Sequence, residues 1–154
     1  MIETAERFFE GYKKYSNRNE KLEKTVIDLQ IKMLILNPEV KIAVVISDKK
    51  DASIYFSNMD AYAADLSKNK KGIIFYNDKF VYGLIGDKSL INEKEVKELL
   101  DEAKKGEKAM KFNSKDSIKS GKTAISDLYQ FSAISGFKQQ NLTDYFAKNN
   151  WTKF

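Results

Sequence analysis

The chain has 154 residues, of which 42% are apolar and 32% charged, and this is the composition of one globular domain. It contains no cysteine and no histidine, which excludes disulfides, thiol nucleophiles, Ser-His-Asp triads and metal sites built from those residues. The net charge of +5 lies in the last third, where residues 104–154 hold 10 Lys against 4 acidic residues, whereas residues 1–103 hold 17 Lys and Arg against 18 Asp and Glu.

Two helices are predicted at the N-terminal end. Residues 3–16 have apolar side chains at helical spacing on one side, namely Ala5, Phe8, Phe9, Tyr12 and Tyr15. A second helix is predicted from Asn17, with Glu20 in its first turn, to about Leu36, where Pro38 ends it. Its apolar positions alternate four and three apart and are widened by three further residues: Leu22, Val26, Leu29, Met33 and Leu36, with Ile27, Ile31 and Leu34. We expect a helical hairpin over 3–37 that packs on the rest of the domain.

Residues 40–105 are predicted to form four short strands and two helices. In chain order these are a strand over 40–47 buried on both faces, a return strand over 52–57, a helix over 58–66 capped by Asn58 or Asp60, a β-hairpin of 72–76 with 80–85, and a helix from Asn92 to about Lys105. The strands are predicted from β-branched and aromatic runs between turn residues. The last helix is predicted from its Asn92 cap and a glycine stop at Gly106.

Beyond Gly106 the pattern is weaker. A basic segment is followed by a predicted helix that starts at Ser120 or Thr123 and ends at Gly136. The sequence thus predicts an α+β fold, with a small, mostly antiparallel sheet of about four strands, an N-terminal helical hairpin and C-terminal helices. Residues 1–136 form the predicted domain, and residues 137–154 form a C-terminal tail or helix.

Three groups of residues have types that could serve catalysis, but none has the pattern that the chemistry needs. Gly121-Lys122-Thr123 lacks the glycine five residues earlier that a phosphate-binding loop needs, because Asp116 stands there. Glu95 and Lys97 have a nuclease-like spacing but fall within a predicted helix, so they point in different directions. Four turn aspartates offer only a weak metal site: Asp48, Asp51, Asp78 and Asp87. We therefore expect no catalytic residue, metal or cofactor, and a carboxylate-dependent metal enzyme ranks last among the function classes.

Six lysines follow one another four or three residues apart: Lys104, Lys108, Lys111, Lys115, Lys119 and Lys122. If residues 107–119 are helical, these lysines form one positive ridge about 27 Å long at 1.5 Å per residue. Such a ridge binds DNA phosphates through its charge, without reading the base sequence. The alternative is a solvated lysine-rich surface.

The residues Gln139-Gln140-Asn141-Leu142-Thr143-Asp144-Tyr145-Phe146 match the pattern Q-x-x-[LIM]-x-x-[FY]-[FY]. This segment resembles the PCNA-interacting peptide, or PIP box, of replication and repair proteins. The resemblance implies that Leu142, Tyr145 and Phe146 form a three-pronged plug for an apolar pocket on the sliding clamp, and that Gln139 binds in a polar pocket beside it. Spacings of three and four residues do place such side chains on one side of a helix.

Two functions follow from these patterns. The first is a non-enzymatic accessory protein in DNA replication or repair, which docks on PCNA through residues 139–146 and contacts DNA with the lysines. The second is a small protein-interaction domain, such as an inhibitor, immunity or regulatory protein, in which the C-terminal aromatic residues belong to the core.

No apolar run approaches the roughly 18 residues of a membrane span, and the N-terminus lacks the basic-then-apolar layout of a signal peptide. We therefore expect a protein inside the cell, in the cytoplasm or, in a eukaryote, the nucleus, without a membrane partner.

Overall fold

The computed structural model describes residues 23–106, 109–120 and 123–154. The predicted helix over 3–16 and the start of the second helix, with Asn17 and Glu20, lie outside the described residues. The elements in chain order are α1 (23–36), β1 (Ile42–Ile46), α2 (Ser53–Ser57), α3 (Met59–Asn69), β2 (Gly72–Tyr76), β3 (Phe80–Ile85), α4 (Glu93–Ala103), β4 (Lys111–Lys115), β5 (Ile118–Ser120), β6 (Thr123–Ile125), β7 (Tyr129–Ile134), α5 (Gln139–Lys148) and β8 (Thr152–Lys153).

Six strands form one mixed sheet in the order β4-β7-β3-β2-β1-β8, and β5 pairs with β6 in a separate hairpin. The pairs β2/β3, β3/β7 and β4/β7 are antiparallel, whereas β1 runs parallel to both of its neighbours, β2 and β8. The predicted α+β class and the mostly antiparallel sheet are confirmed. The sheet has six strands instead of about four because residues beyond 107 add three strands to it.

Each face of the sheet carries its own apolar core, because successive side chains of a strand point to opposite faces. On the first face, α1, α2 and α3 pack over the strands through residues that include Ile31, Tyr55, Leu66, Phe75 and Tyr82. On the second face, α4 and α5 pack over the strands through residues that include Ile74, Leu99, Phe131, Leu142 and Phe146. The helices α1 and α5 therefore lie on opposite sides of the sheet.

Several predicted elements are confirmed, and local hydrogen bonds explain them. The Asn77 side chain closes the β2–β3 turn, since its Oδ1 accepts from the backbone N–H of Lys79 at 2.8 Å and of Phe80 at 3.1 Å. The Asn92 side chain caps α4 by accepting from the N–H of Lys94 at 2.7 Å. Asn58 precedes α3, but its side chain donates to the Ile54 carbonyl at 2.9 Å and does not cap the helix.

The predicted return strand over 52–57 is wrong, because this segment contains helix α2. The strand β1 pairs in parallel with β2, and a parallel pair needs a crossover connection, which α2 and α3 supply. Asp51 favours the start of α2 by accepting from the N–H of Ser53 at 2.9 Å. The aromatic residue that suggested a strand, Tyr55, stacks on Phe75 at 4.1 Å between ring centroids and is buried.

The predicted helix between Ser120 or Thr123 and Gly136 is also wrong. Strand β7 lies between β3 and β4, so both of its edges are hydrogen-bonded. Its side chains alternate: Tyr129, Phe131 and Ala133 belong to the core of the second face, and Gln130 and Ser132 point to the first. Pairing on both edges of β7 outweighs the helical spacing that Leu128, Tyr129 and Ser132 share in the sequence.

Candidate interaction surface

The C-terminal motif forms helix α5, and its anchor residues point toward the sheet. Leu142 is 0% and Phe146 1% exposed. The Phe146 ring meets the Tyr76 ring edge-on at 5.0 Å and stacks on the Trp151 ring at 5.4 Å. As the protein is folded, these two side chains belong to the core and are not available as a plug.

The other two motif residues lie at the border of this core. Tyr145 is half-buried beside α4, and burial, followed by the charge of Glu95, raises its pKa. Gln139 is half-buried in the first turn of α5, where its carbonyl accepts from the Thr143 hydroxyl at 3.2 Å. The predicted placement of Leu142, Tyr145 and Phe146 on one side of a helix is therefore correct, but that side packs against the sheet and α4.

The predicted lysine ridge is wrong as a helix, because residues 111–115 and 118–120 are strands. Lys111 and Lys115 project from the same face of β4, an edge strand of the sheet, about 13 Å apart at 3.3 Å per residue. Lys119 is exposed on β5, and Lys104 ends α4, with its Nζ 3.9 Å from Asp101. Lys108 and Lys122 lie outside the described residues. Exposed lysines on an edge strand also hinder pairing with other chains.

Helix α1 is apolar on two opposite sides. One side, with Ile27, Ile31 and Leu34, is buried in the core of the first face. The opposite side carries what we call the outer stripe, whose exposed fractions are large: Val26 53%, Leu29 54%, Met33 60% and Leu36 81%. The sequence indicated all seven residues but predicted one broad apolar side, whereas the structure divides them between the core and solvent. The alternating spacing of four and three was the signal for this second surface.

A cleft of about 420 Å³ adjoins the outer stripe where α1 passes the end of β1. Val26 lines both features, and Ile46, which is 36% exposed, continues the apolar surface from α1 onto β1. The floor of the cleft is formed by the buried side chains Ile27, Val45 and Phe75.

Polar groups close the rim of this cleft and fix its shape. The Lys49 Nζ lies 2.8 Å from Glu23 Oε1 and 3.0 Å from Asp48 Oδ1. Burial opposes the charged form of Lys49, but the hydrogen bonds to the two carboxylates outweigh it and raise the pKa of this amine. The pKa of Asp48 is lowered, chiefly by its hydrogen bond to Lys49. Lys49 is therefore charged and already paired with two carboxylates at the rim.

Beneath the rim, the buried Ser47 hydroxyl lies 2.7 Å from the Tyr55 hydroxyl and accepts from the N–H of Lys49 at 3.2 Å. The Asn77 side chain donates to the carbonyls of Ser47 and Lys49 at 3.2 and 2.9 Å. These bonds hold the loop after β1, so the cleft is formed before anything binds in it. Such a rigid apolar cleft with a polar rim suits an apolar anchor side chain.

The aspartates that offered a weak metal site do not converge. Asp48, Asp51 and Asp78 follow β1 and β2 at one end of the sheet, whereas Asp87 follows β3 at the other. Among the described residues, no group of three or more acidic side chains is placed to hold a metal ion. Glu95 and Lys97 are exposed on either side of buried Val96 in α4, as predicted.

Protein-family models, curated proteins and solved structures were compared with the chain. None of them matches it. Within the part of the chain that the structure describes, no helix has both the length and the apolar content to cross a bilayer.

Proposed function

We propose that this protein is a non-enzymatic protein-interaction domain and that the outer stripe of α1 is its contact surface. The observation that carries this proposal is that α1 is apolar on two opposite sides, of which only one is buried in the described structure. A helix with two apolar sides is suited to lie between two layers of structure. The ridge formed by residues three and four apart fits the groove of another amphipathic helix.

The size of the stripe indicates what kind of partner it needs. Complete burial of an exposed aliphatic side chain is worth about 1.5–3 kcal/mol, so burying these four, which are 53–81% exposed, gains about 4–7 kcal/mol. Two stripes packed together would gain about 8–14 kcal/mol, which association at a cost of about 4–15 kcal/mol largely cancels. Two copies joined by this stripe alone would therefore bind weakly. A partner helix with bulkier side chains that also fills the cleft would bind more tightly.

This proposal follows the second function inferred from the sequence, in which the C-terminal aromatic residues belong to the core. The burial of Leu142 and Phe146 supports it. Docking on PCNA through residues 139–146 stays a prediction, and it requires α5 to leave the sheet and expose two core side chains to water.

In the double variant Leu29→Gln, Met33→Gln, the free energy of unfolding should stay within about 0.5 kcal/mol of the wild-type value, because both are surface residues away from the core. Glutamine also has nearly the helix propensity of leucine and methionine. The matched control is Ile31→Ala on the buried side of the same helix, which should cost about 2–5 kcal/mol. Chemical denaturation measures both. A large loss in the double variant would place the stripe in an intramolecular core.

Photo-cross-linking tests whether a partner protein contacts the outer stripe. A photo-cross-linking side chain at Met33, in the full chain and in its source cells, should form an adduct with a second protein. The same cross-linking side chain at Lys68, an exposed residue of α3, should form no adduct. The cross-linked protein, once purified, should bind the wild-type chain saturably and the Leu29→Gln, Met33→Gln chain at least tenfold more weakly. Equal adducts at the two positions, or equal binding by the two chains, would contradict the proposal.

The DNA contact predicted for the lysines is a second candidate, which the shared face of Lys111 and Lys115 favours. Glutamine at both positions should weaken binding to a DNA duplex and lower the slope of log K against log salt by about 2, because each phosphate contact contributes about 0.9 to that slope. Fluorescence anisotropy at several salt concentrations measures this. Equal slopes for the variant and the wild type would eliminate the two lysines as phosphate contacts.

A further inference from the structure

Part of the sheet's first face is exposed where the strands β3, β7 and β4 extend beyond α2. Phe56 and Ile134, which belong neither to the outer stripe nor to its cleft, are 43% and 57% exposed there. The Phe56 ring meets the Tyr82 ring edge-on at 5.0 Å. Ser132 is paired with Tyr82, and Ile134 is the next residue of β7 on the same face, within reach of that ring. We call the surface formed by Phe56, Tyr82 and Ile134 the sheet patch.

Two lysines of β4 border the sheet patch. Lys111 is paired with Ile134, which puts it on the first face of the sheet. Asn113 and Lys115 follow on the same face, because alternate residues of a strand share a face, and all three β4 side chains are exposed. Since neighbouring strands lie about 4.8 Å apart, this row runs about 10 Å from Tyr82, two strands away. The surface therefore combines an apolar patch with two positive charges.

Protection of the sheet edge explains only half of this arrangement. Exposed lysines keep an edge strand from pairing with other chains, but they do not require exposed apolar side chains beside them. The sheet patch is also small for a protein interface, because the exposed fractions of Phe56 and Ile134 together amount to about one whole side chain. A ligand of this surface must therefore gain much of its affinity from the lysines, and its own charge must be negative.

A single strand of nucleic acid has both features that this surface needs. Lysines bind its phosphates through their charge, and its bases are free to stack on exposed side chains. We infer that the surface binds single-stranded nucleic acid, with a base on the sheet patch and phosphates on Lys111 and Lys115. The inference rests on the second candidate function and deepens it, because it names the form of nucleic acid that these lysines contact. In a duplex, the faces of the bases are covered by their neighbours, so only the lysines would be used.

Fluorescence anisotropy with the full chain compares the forms of nucleic acid. The probes are an oligothymidylate and an oligouridylate of about 20 nucleotides and a mixed-sequence duplex of about 20 base pairs, all at one salt concentration. We expect one or both single strands to bind about tenfold or more tightly than the duplex, and the tighter one identifies the sugar. Equal or tighter binding of the duplex would overturn the inference but keep the phosphate contacts. Binding to none of the three would end the second candidate function as well.

Two variants test the sheet patch. Phe56→Leu keeps the surface apolar but removes the ring, so the affinity for the single strand should fall about fivefold or more, while duplex binding stays unchanged. Ile134→Gln changes an exposed position on a different element and should act in the same direction, so the test does not depend on one substitution. Wild-type affinity for the single strand in both variants would refute stacking on the sheet patch.

A pair of double variants tests the lysines. Lys111→Gln, Lys115→Gln should lower the slope of log K against log salt for the single strand by about 1.4, because each phosphate contact contributes about 0.7 there. The control Lys68→Gln, Lys94→Gln removes the same charge from exposed positions on α3 and α4 and should leave the slope unchanged. Equal slopes for the two double variants would show that the strand does not run along β4 and would overturn the inference.

Discussion

Replacing Phe146 with alanine should lower the free energy of unfolding by about 3–5 kcal/mol, the cost expected for a fully buried phenylalanine. The side chain is 1% exposed and packs between the rings of Tyr76 and Trp151. Its removal leaves a cavity where α5 meets the sheet. Denaturant unfolding followed by circular dichroism measures the change, and an unchanged m-value would show that the denatured state is the same in both proteins.

Tyr145→Ala is the matched control, since it removes the adjacent ring of the same motif from a half-buried position. We expect it to cost about 1 kcal/mol, well below the cost of Phe146→Ala. The two results also decide between the two functions inferred from the C-terminal motif. If Phe146→Ala unfolds like the wild type and a peptide of residues 137–150 binds PCNA at micromolar concentration, α5 is a docking peptide and not part of the core.

Replacing Gly86 with alanine should cost about 3 kcal/mol or more, the upper part of the range for overpacking. A Cβ atom at this position would lie 2.2 Å from the backbone carbon and oxygen of Leu66 in α3. The backbone cannot retreat easily, because the Gly86 N–H also donates to the Lys71 carbonyl at 2.7 Å. The whole helix α3 would have to move away from the end of β3.

The control for this variant is Gly106→Ala. Gly106 has a φ of +65°, and a Cβ there would have no atom within 4 Å. Alanine at this position should cost only the left-handed backbone penalty of about 1–2 kcal/mol. Thermal unfolding of the two variants compares them. Equal losses would mean that α3 approaches the end of β3 less closely than described.

The elements that were predicted correctly are those whose determinants are local. The β2–β3 turn depends on Asn77 and the start of α4 on Asn92, and each of these side chains binds backbone N–H groups within three residues of itself. The two incorrect elements depend on distant pairing. Residues 52–57 form part of a crossover because β1 and β2 run parallel, and residues 129–134 form a strand because β3 and β4 lie on either side of it. No local pattern contains that information.

For the candidate surfaces too, the sequence predicted the local feature and missed the one that depends on the packed fold. The spacing of Leu142, Tyr145 and Phe146 correctly predicted that they share one side of a helix, but spacing does not reveal what that side faces. On α1, the apolar residues were all recognised, and only the position of the sheet distinguishes the buried Ile31 from the exposed Met33. Exposure is a property of the packed fold and is absent from the periodicity of a single helix.

The pairing of β1 with β8 has a consequence for how the molecule assembles. Ala43 lies opposite Thr152, and the N–H of Phe154 donates to the Val44 carbonyl at 2.9 Å, so this edge joins residues separated by roughly two-thirds of the chain. Contacts of such long range form slowly, because a large loop must close before they contribute any stability. During synthesis, the outer edge of β1 therefore stays open until almost the whole of the described chain has left the ribosome.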